Sequence, residues 1–143
     1  MKYLRLMVLS AVAASALFMT GCAQQPTKEA KQKVIFQVSD ADPKKWNLAL
    51  NNAKNVQTDL GKENVEIEIV AYGPGIGMLK LESEVGNRIT EAAGSGVKVV
   101  ACENTMKGQK LTKDDMLSNI GYVKAGVVEL MQKQQQCYAY IRP

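Results

Sequence analysis

Lys33-Val34-Ile35-Phe36-Gln37-Val38 runs into Ser39-Asp40-Ala41-Asp42-Pro43, and Trp46, Ala49, Leu50, Ala53, Val56 and Leu60 follow at helical spacing before Gly61. The first run is short, rich in β-branched and aromatic residues and bounded by turn formers, which predicts a buried strand. Asp42 is placed to cap the next element, Pro43 suits its first position, and Gly61 suits its end. Residues 33–61 therefore read as one strand joined by a short turn to one long helix.

The same alternation continues to the C-terminus. Val65, Ile67 and Ile69 alternate with Glu66 and Glu68, which predicts a second strand with one core face and one face partly in water. Gly73-Pro74-Gly75-Ile76-Gly77 breaks the pattern into a loop. A helix carrying Val85, Ile89, Ala92 and Ala93 comes next, and Gly94-Ser95-Gly96 closes it. Val97, Val99, Val100 and Ala101 form a third strand, apolar on both faces and so expected to be central. Thr112-Lys113-Asp114-Asp115 has the form of a capping box opening one helical region through Met116, Leu117, Ile120, Val123, Val127, Leu130 and Met131, and Tyr138 to Ile141 makes a last strand. Strands alternating with helices predict a three-layer αβα sandwich with a mainly parallel sheet and right-handed crossovers.

Composition excludes several kinds of chemistry. The 143 residues contain no histidine, which removes Ser-His-Asp and Cys-His catalysis and His-ligated zinc. Three cysteines are too few for a Cys-only zinc site, and no metal or other cofactor is expected. Lys+Arg 18 against Asp+Glu 14 is a mild excess that does not suggest a nucleic-acid partner.

The N-terminus reads as an address. Lys2 and Arg5 precede an apolar stretch from Leu6 to Met19, too short to span a bilayer, so residues 1–21 are expected to be a removed signal peptide. Met19-Thr20-Gly21-Cys22 resembles the lipobox of bacterial lipoproteins, in which the cysteine becomes the diacylated first residue. Ala14-Ser15-Ala16 would suit an ordinary signal peptidase, but a cut there leaves Leu17, Phe18 and Met19 on the new terminus. Acyl chains on Cys22 would anchor the protein stably to a membrane, with residues 22–32 as lipidated cysteine and polar tether and 33–143 as the folded domain. The expected location is extracytoplasmic and lipid-anchored. Ala23 resembles the outer-membrane sorting class, on the periplasmic side, for a cell with two membranes.

Four segments carry a resemblance: Ala49-Leu50-Asn51-Asn52-Ala53-Lys54-Asn55, Val70-Ala71-Tyr72-Gly73-Pro74-Gly75-Ile76, Val100-Ala101-Cys102-Glu103-Asn104-Thr105-Met106, and Tyr138-Ala139-Tyr140-Ile141-Arg142-Pro143. Together they resemble the DsrE/DsrF-like family over nearly all of residues 33–143. The resemblance implies a small α/β domain that often forms homo-oligomers, and in several members a cysteine that carries sulfur as a persulfide. Two positions depart from it: Cys137 stands where glycine is usual, and Tyr72 where many relatives have histidine.

Cys102 is the candidate site residue, at the end of the third strand, where ligands gather in open α/β sheets. Asn104 and Thr105 are candidate binding residues that could present N–H groups, and Lys107 would favour a thiolate while Glu103 would oppose it. The competing reading is a small buried hydrophobe. A disulfide to Cys137 is not expected, because a strand end and a strand start on parallel neighbours lie about 15 Å apart. Gly73 and Gly75 could let backbone approach an anion, or serve only a turn or an oligomer contact.

The remaining features read as structural. Glu66 and Glu68 suit a solvated face, Asp114 and Asp115 a first helical turn, and Trp46, Tyr138 and Tyr140 core or interface packing. Lys44 and Lys45 suit a solvated helix end. Two functions stay open: a thiol at Cys102 that binds or relays sulfane sulfur from an unidentified donor or senses thiol redox state, or a non-catalytic oligomeric binding or assembly lipoprotein in which Cys102 is structural.

Overall fold

The structure, a computed structural model, describes residues 30–143. The signal peptide, Cys22 and most of the tether lie outside the described residues. Five parallel strands, β1 (Gln32–Val38), β2 (Val65–Ala71), β3 (Lys98–Cys102), β4 (Gly121–Val123) and β5 (Ala139–Ile141), form one sheet in the order β4-β3-β2-β1-β5. The α/β class and parallel sheet expected from the sequence are both present.

Helix α1 (Pro43–Leu60) begins as its sequence dictates: the Asp42 side chain accepts the Lys44 N–H at 2.9 Å and Pro43 occupies the first position. Trp46, Ala49, Leu50 and Ala53 are buried, whereas Leu60, also on the period, is exposed. With α2 (Gly86–Gly94) and a 3-10 turn at Gly73–Leu79, α1 covers one sheet face around Phe36, Ile69, Met78, Leu79 and Ile89. The opposite face carries α4 (Gly126–Gln135), and its core is small: Ile35, Val70, Val100 and Leu130.

The expected helix from Thr112 onward is not one element. The capping box exists, with Asp115 Oδ2 accepting the Thr112 N–H at 2.7 Å and its hydroxyl at 2.8 Å, but it closes a single 3-10 turn, Lys113–Asp115. The chain then forms β4 beside β3 and enters α4 only at Gly126. Glycine costs about 1 kcal/mol inside a helix, and the edge of β3 would otherwise carry unpaired backbone groups, so Gly121-Tyr122-Val123 pairs with it. A side chain at Gly121 would also crowd Val100 Cγ1, at 3.2 Å. Val127 and Met131, assigned to an apolar helix face from their spacing, point to solvent.

The expectation that β2 keeps one wet face fails at Glu68, which is 1% exposed. Helix α4 covers that face, and Lys98 and Lys133 each place an Nζ 3.1 Å from Glu68 Oε2. A buried carboxylate is tolerated when cations of this kind compensate it. Glu66, nearer the strand start, is half-exposed and accepts the Tyr138 hydroxyl at 2.8 Å.

Candidate functional site

Cys102 ends β3, and helix α3 (Glu103–Gly108), not foreseen in the sequence, starts at once. Because β3 is apolar on both faces, its last side chain is drawn under the covering layer, and Cys102 is 4% exposed. Its Sγ accepts the Gly126 N–H from the start of α4 at 3.2 Å. Burial opposes ionisation of this thiol. The Thr105 hydroxyl, the Gly126 N–H and the backbone N–H groups of Thr105 and Asn104 more than offset it, and the thiol titrates below the ordinary cysteine value. The Asn104 N–H is shared, since it also donates to the Lys124 carbonyl at 3.1 Å.

The same donors tie three segments together. Thr105 Oγ1 accepts the Gly73 N–H at 2.9 Å, so its own proton is free to point at sulfur. Gln109 Nε2 reaches the Gly73 carbonyl at 3.3 Å. Gly75 lies so close to β1 that an added Cβ would sit 2.3 Å from the Val38 carbonyl oxygen. The structure thus brings Cys102, Thr105, Asn104 and Gly73 to one place, while Gly75 packs against the strand end beside it. Lys107 sits exposed on the last turn of α3, and the thiolate is favoured mainly by hydrogen bonds rather than by that charge.

These observations place a hydrogen-bonded thiol at the carboxyl end of a parallel sheet, and a family model supplies the kinship. The DsrE/DsrF-like family matches residues 32–143. The chain belongs to the DsrE/DsrF-like family. A solved structure from Methanobacterium thermoautotrophicum, the protein of unknown function MTH1491, is similar at 34% identity and TM-score 0.75, covering 79% of this chain and 100% of that one. A second, the conserved protein of unknown function BT1422 from Bacteroides thetaiotaomicron, shares the fold at 15% identity and TM-score 0.63, covering 78% of this chain and 95% of the other. No curated protein matches.

Several groups at the site of this DsrE/DsrF-like domain were not singled out as site residues. Tyr72, just past β2, lies against Gly126 so closely that a Cβ there would stand 3.0 Å from the Tyr72 Cβ and Cδ1. Burial raises the Tyr72 hydroxyl's pKa, and Tyr140, Cys102 and Asp40 push the same way against Arg142. Asp40, at the end of β1, is paired with Lys45 at 3.1 Å and Arg142 at 3.4 Å. The Lys45 hydrogen bond leads in holding its carboxyl below the usual range. Tyr140 donates to Gln37 Oε1 at 2.5 Å. The visible signal for Gly126 was a glycine within an apolar periodic run, where a helix gains nothing from it.

Cys102 and Cys137 are both free thiols. β3 and the strand that follows Cys137 are not neighbours, as β2 and β1 lie between them. Cys137 is exposed, with φ 66°, the left-handed conformation that glycine adopts without cost. It closes α4 in a Schellman arrangement: Tyr138 N–H donates to the Lys133 carbonyl at 3.0 Å and Cys137 N–H to that of Gln134 at 3.1 Å.

Beside the thiol, a cavity of about 420 Å³ is lined by Asn104, Val123, Lys124, Val128, Glu129 and Gln132. A cavity of similar size between α1 and α2, about 410 Å³, contains no thiol. Among the described residues, no three His, Cys, Asp or Glu side chains converge as metal ligands, and no helix is long and apolar enough to cross a membrane.

Proposed function

We propose that Cys102 is a sulfur-carrying thiol of a membrane-anchored, extracytoplasmic DsrE/DsrF-like protein. The observation that carries this reading is the Gly126 N–H seated on Cys102 Sγ at 3.2 Å, and the Thr105 hydroxyl and neighbouring backbone N–H groups also hold the thiol's pKa down. Such donors favour the thiolate, which is the nucleophile in sulfur exchange. The thiolate attacks the outer sulfur of R–S–SH. A new S–S bond forms as the old one breaks, R–S⁻ leaves with the electron pair, and the outer sulfur keeps its proton as Cys102–S–SH. No metal, histidine or external oxidant enters this step. Asn104, Thr105 and Gly73 hold the loops around the thiol.

Anchoring through a diacylated Cys22 rests on the lipobox-like Met19-Thr20-Gly21-Cys22, and the Ala23 that follows supports the outer membrane in a cell with two membranes. Homo-oligomer formation is supported by Val127, Val128 and Met131 on the outer side of α4, an apolar surface without cover in a single chain.

A second reading has its own observation. At 4% exposed, Cys102 also suits a packing role in a non-catalytic binding or assembly lipoprotein. Intact mass spectrometry after exposure to polysulfide separates the two. A roughly 32 Da adduct lost in Cys102→Ser and kept in Cys137→Ser supports the carrier, whereas no adduct on the folded protein supports the packing role.

A further inference from the structure

The second face of the sheet holds a charged cluster that the sulfur chemistry does not use. Glu68 is buried at 1% exposed, and both Lys98 and Lys133 contact its Oε2 at 3.1 Å. Its Oε1 is also buried, with no hydrogen-bond partner among the described residues. The same lysines approach Glu129 Oε1 at 3.9 and 3.8 Å, which brings the two carboxyl groups together around one pair of cations. A buried acceptor without a donor is costly, and a proton on Glu129 would supply the missing donor. Burial, followed by the neighbouring Glu68, raises the Glu129 pKa and so favours that proton.

Glu129 and Lys133 lie one and two turns into α4, and the first residue of that helix, Gly126, donates its N–H to Cys102 Sγ. Whatever fixes the height of α4 over β2 also fixes that donor over the sulfur. We propose that Glu68 is a positioning residue for the Cys102 thiolate: bound by Lys98 and Lys133 and sharing one proton with Glu129, it clamps α4 so that the Gly126 N–H reaches sulfur. This rests on the thiolate reading above.

The other ionisable groups around the cluster are accounted for. Tyr138 lies under Lys133, with Nζ 4.9 Å from the ring centre, and gives its hydroxyl proton to Glu66. Lys33 pairs with Glu66 at 4.0 Å and lies 5.5 Å from the same ring. Those groups are engaged elsewhere, which on this proposal leaves Glu129 to give Glu68 Oε1 its proton.

The test is a pH titration of the Cys102 thiolate in the full chain in detergent, read as the ultraviolet absorbance difference from Cys102→Ser, a signal that needs no reagent access. Glu68→Gln keeps the shape but removes the charge that binds both lysines. It is expected to weaken thiol ionisation roughly tenfold, a rise of about one pH unit in the midpoint. Glu129→Gln carries a permanent N–H donor and is expected to keep the wild-type midpoint, while Glu129→Ala raises it. A folded Glu68→Gln with an unchanged midpoint overturns the proposal. Should Glu68→Gln not fold, equal midpoints for Glu129→Gln and Glu129→Ala overturn it instead. Sulfur uptake on Cys102 with unshifted midpoints refutes the positioning role alone. Shifted midpoints without uptake refute the persulfide reading alone.

Discussion

Replacing Thr105 by valine keeps the side-chain shape and deletes one hydroxyl with two roles of different kinds. The first is acceptance of the Gly73 N–H at 2.9 Å. Leaving that part-buried donor unpaired costs on the order of 1–3 kcal/mol at any pH. The second is electrostatic: the hydroxyl is foremost among the groups that hold the Cys102 thiol's pKa down. A hydrogen bond to a charged group contributes about 1.5–3 kcal/mol, which corresponds to roughly 1–2 pH units in the thiol midpoint. The sign follows from linkage. A thiol with a depressed folded-state pKa adds stability above its unfolded value of about 8.5, and loses that stability as pH falls through the folded value. Thr105→Val is therefore expected to destabilise the domain by about 1–3 kcal/mol near pH 6 and by at least about 1 kcal/mol more near pH 9.5. Denaturant unfolding at the two pH values, with Thr105→Ser as the variant that keeps the hydroxyl, measures the difference. Equal losses at both pH values together with an unmoved thiol midpoint would show that Thr105 does not act on sulfur.

Two further predictions concern backbone geometry. Gly75→Ala puts a methyl 2.3 Å from the Val38 carbonyl, so the turn or β1 must shift; the expected cost is about 1–3 kcal/mol, seen as a Tm lowered by several degrees. Cys137→Gly removes a side chain from a left-handed position closing α4, and should raise stability by about 1 kcal/mol in thermal unfolding; a fall would mean that the Cys137 side chain makes a stabilising contact of its own.

Residues 33–61 were readable because every signal in them is local: an apolar run, Asp42-Pro43, a 3.6-residue period and a terminal glycine. The strand at Gly121–Val123 was not, since it spans three residues and exists by pairing with Val100 to Cys102, about twenty positions away. Glu68 misled for a related reason. Its alternation with Ile67 and Ile69 looks like a wet face, and the lysines that neutralise it come from β3 and α4. Cys102 could be found at the end of a strand, whereas the Gly126 N–H aimed at it is a backbone group 24 residues on, with no side chain to announce it.

The two faces of the sheet are covered unequally, and that bears on how a buried sulfur meets anything. Strands β1 and β2 pair along seven positions beneath the larger core, while β4 and β5 each pair along three, and α4 buries only Gly126 and Leu130. In native-state hydrogen exchange, weakly packed elements open in partial excursions far more often than the whole domain unfolds. The α4 layer, over a small core, is such an element, and its first residue donates to Cys102. On the sulfur-carrying reading, a reagent reaches the thiol only when that layer opens, so burial would set how often exchange occurs rather than whether it does.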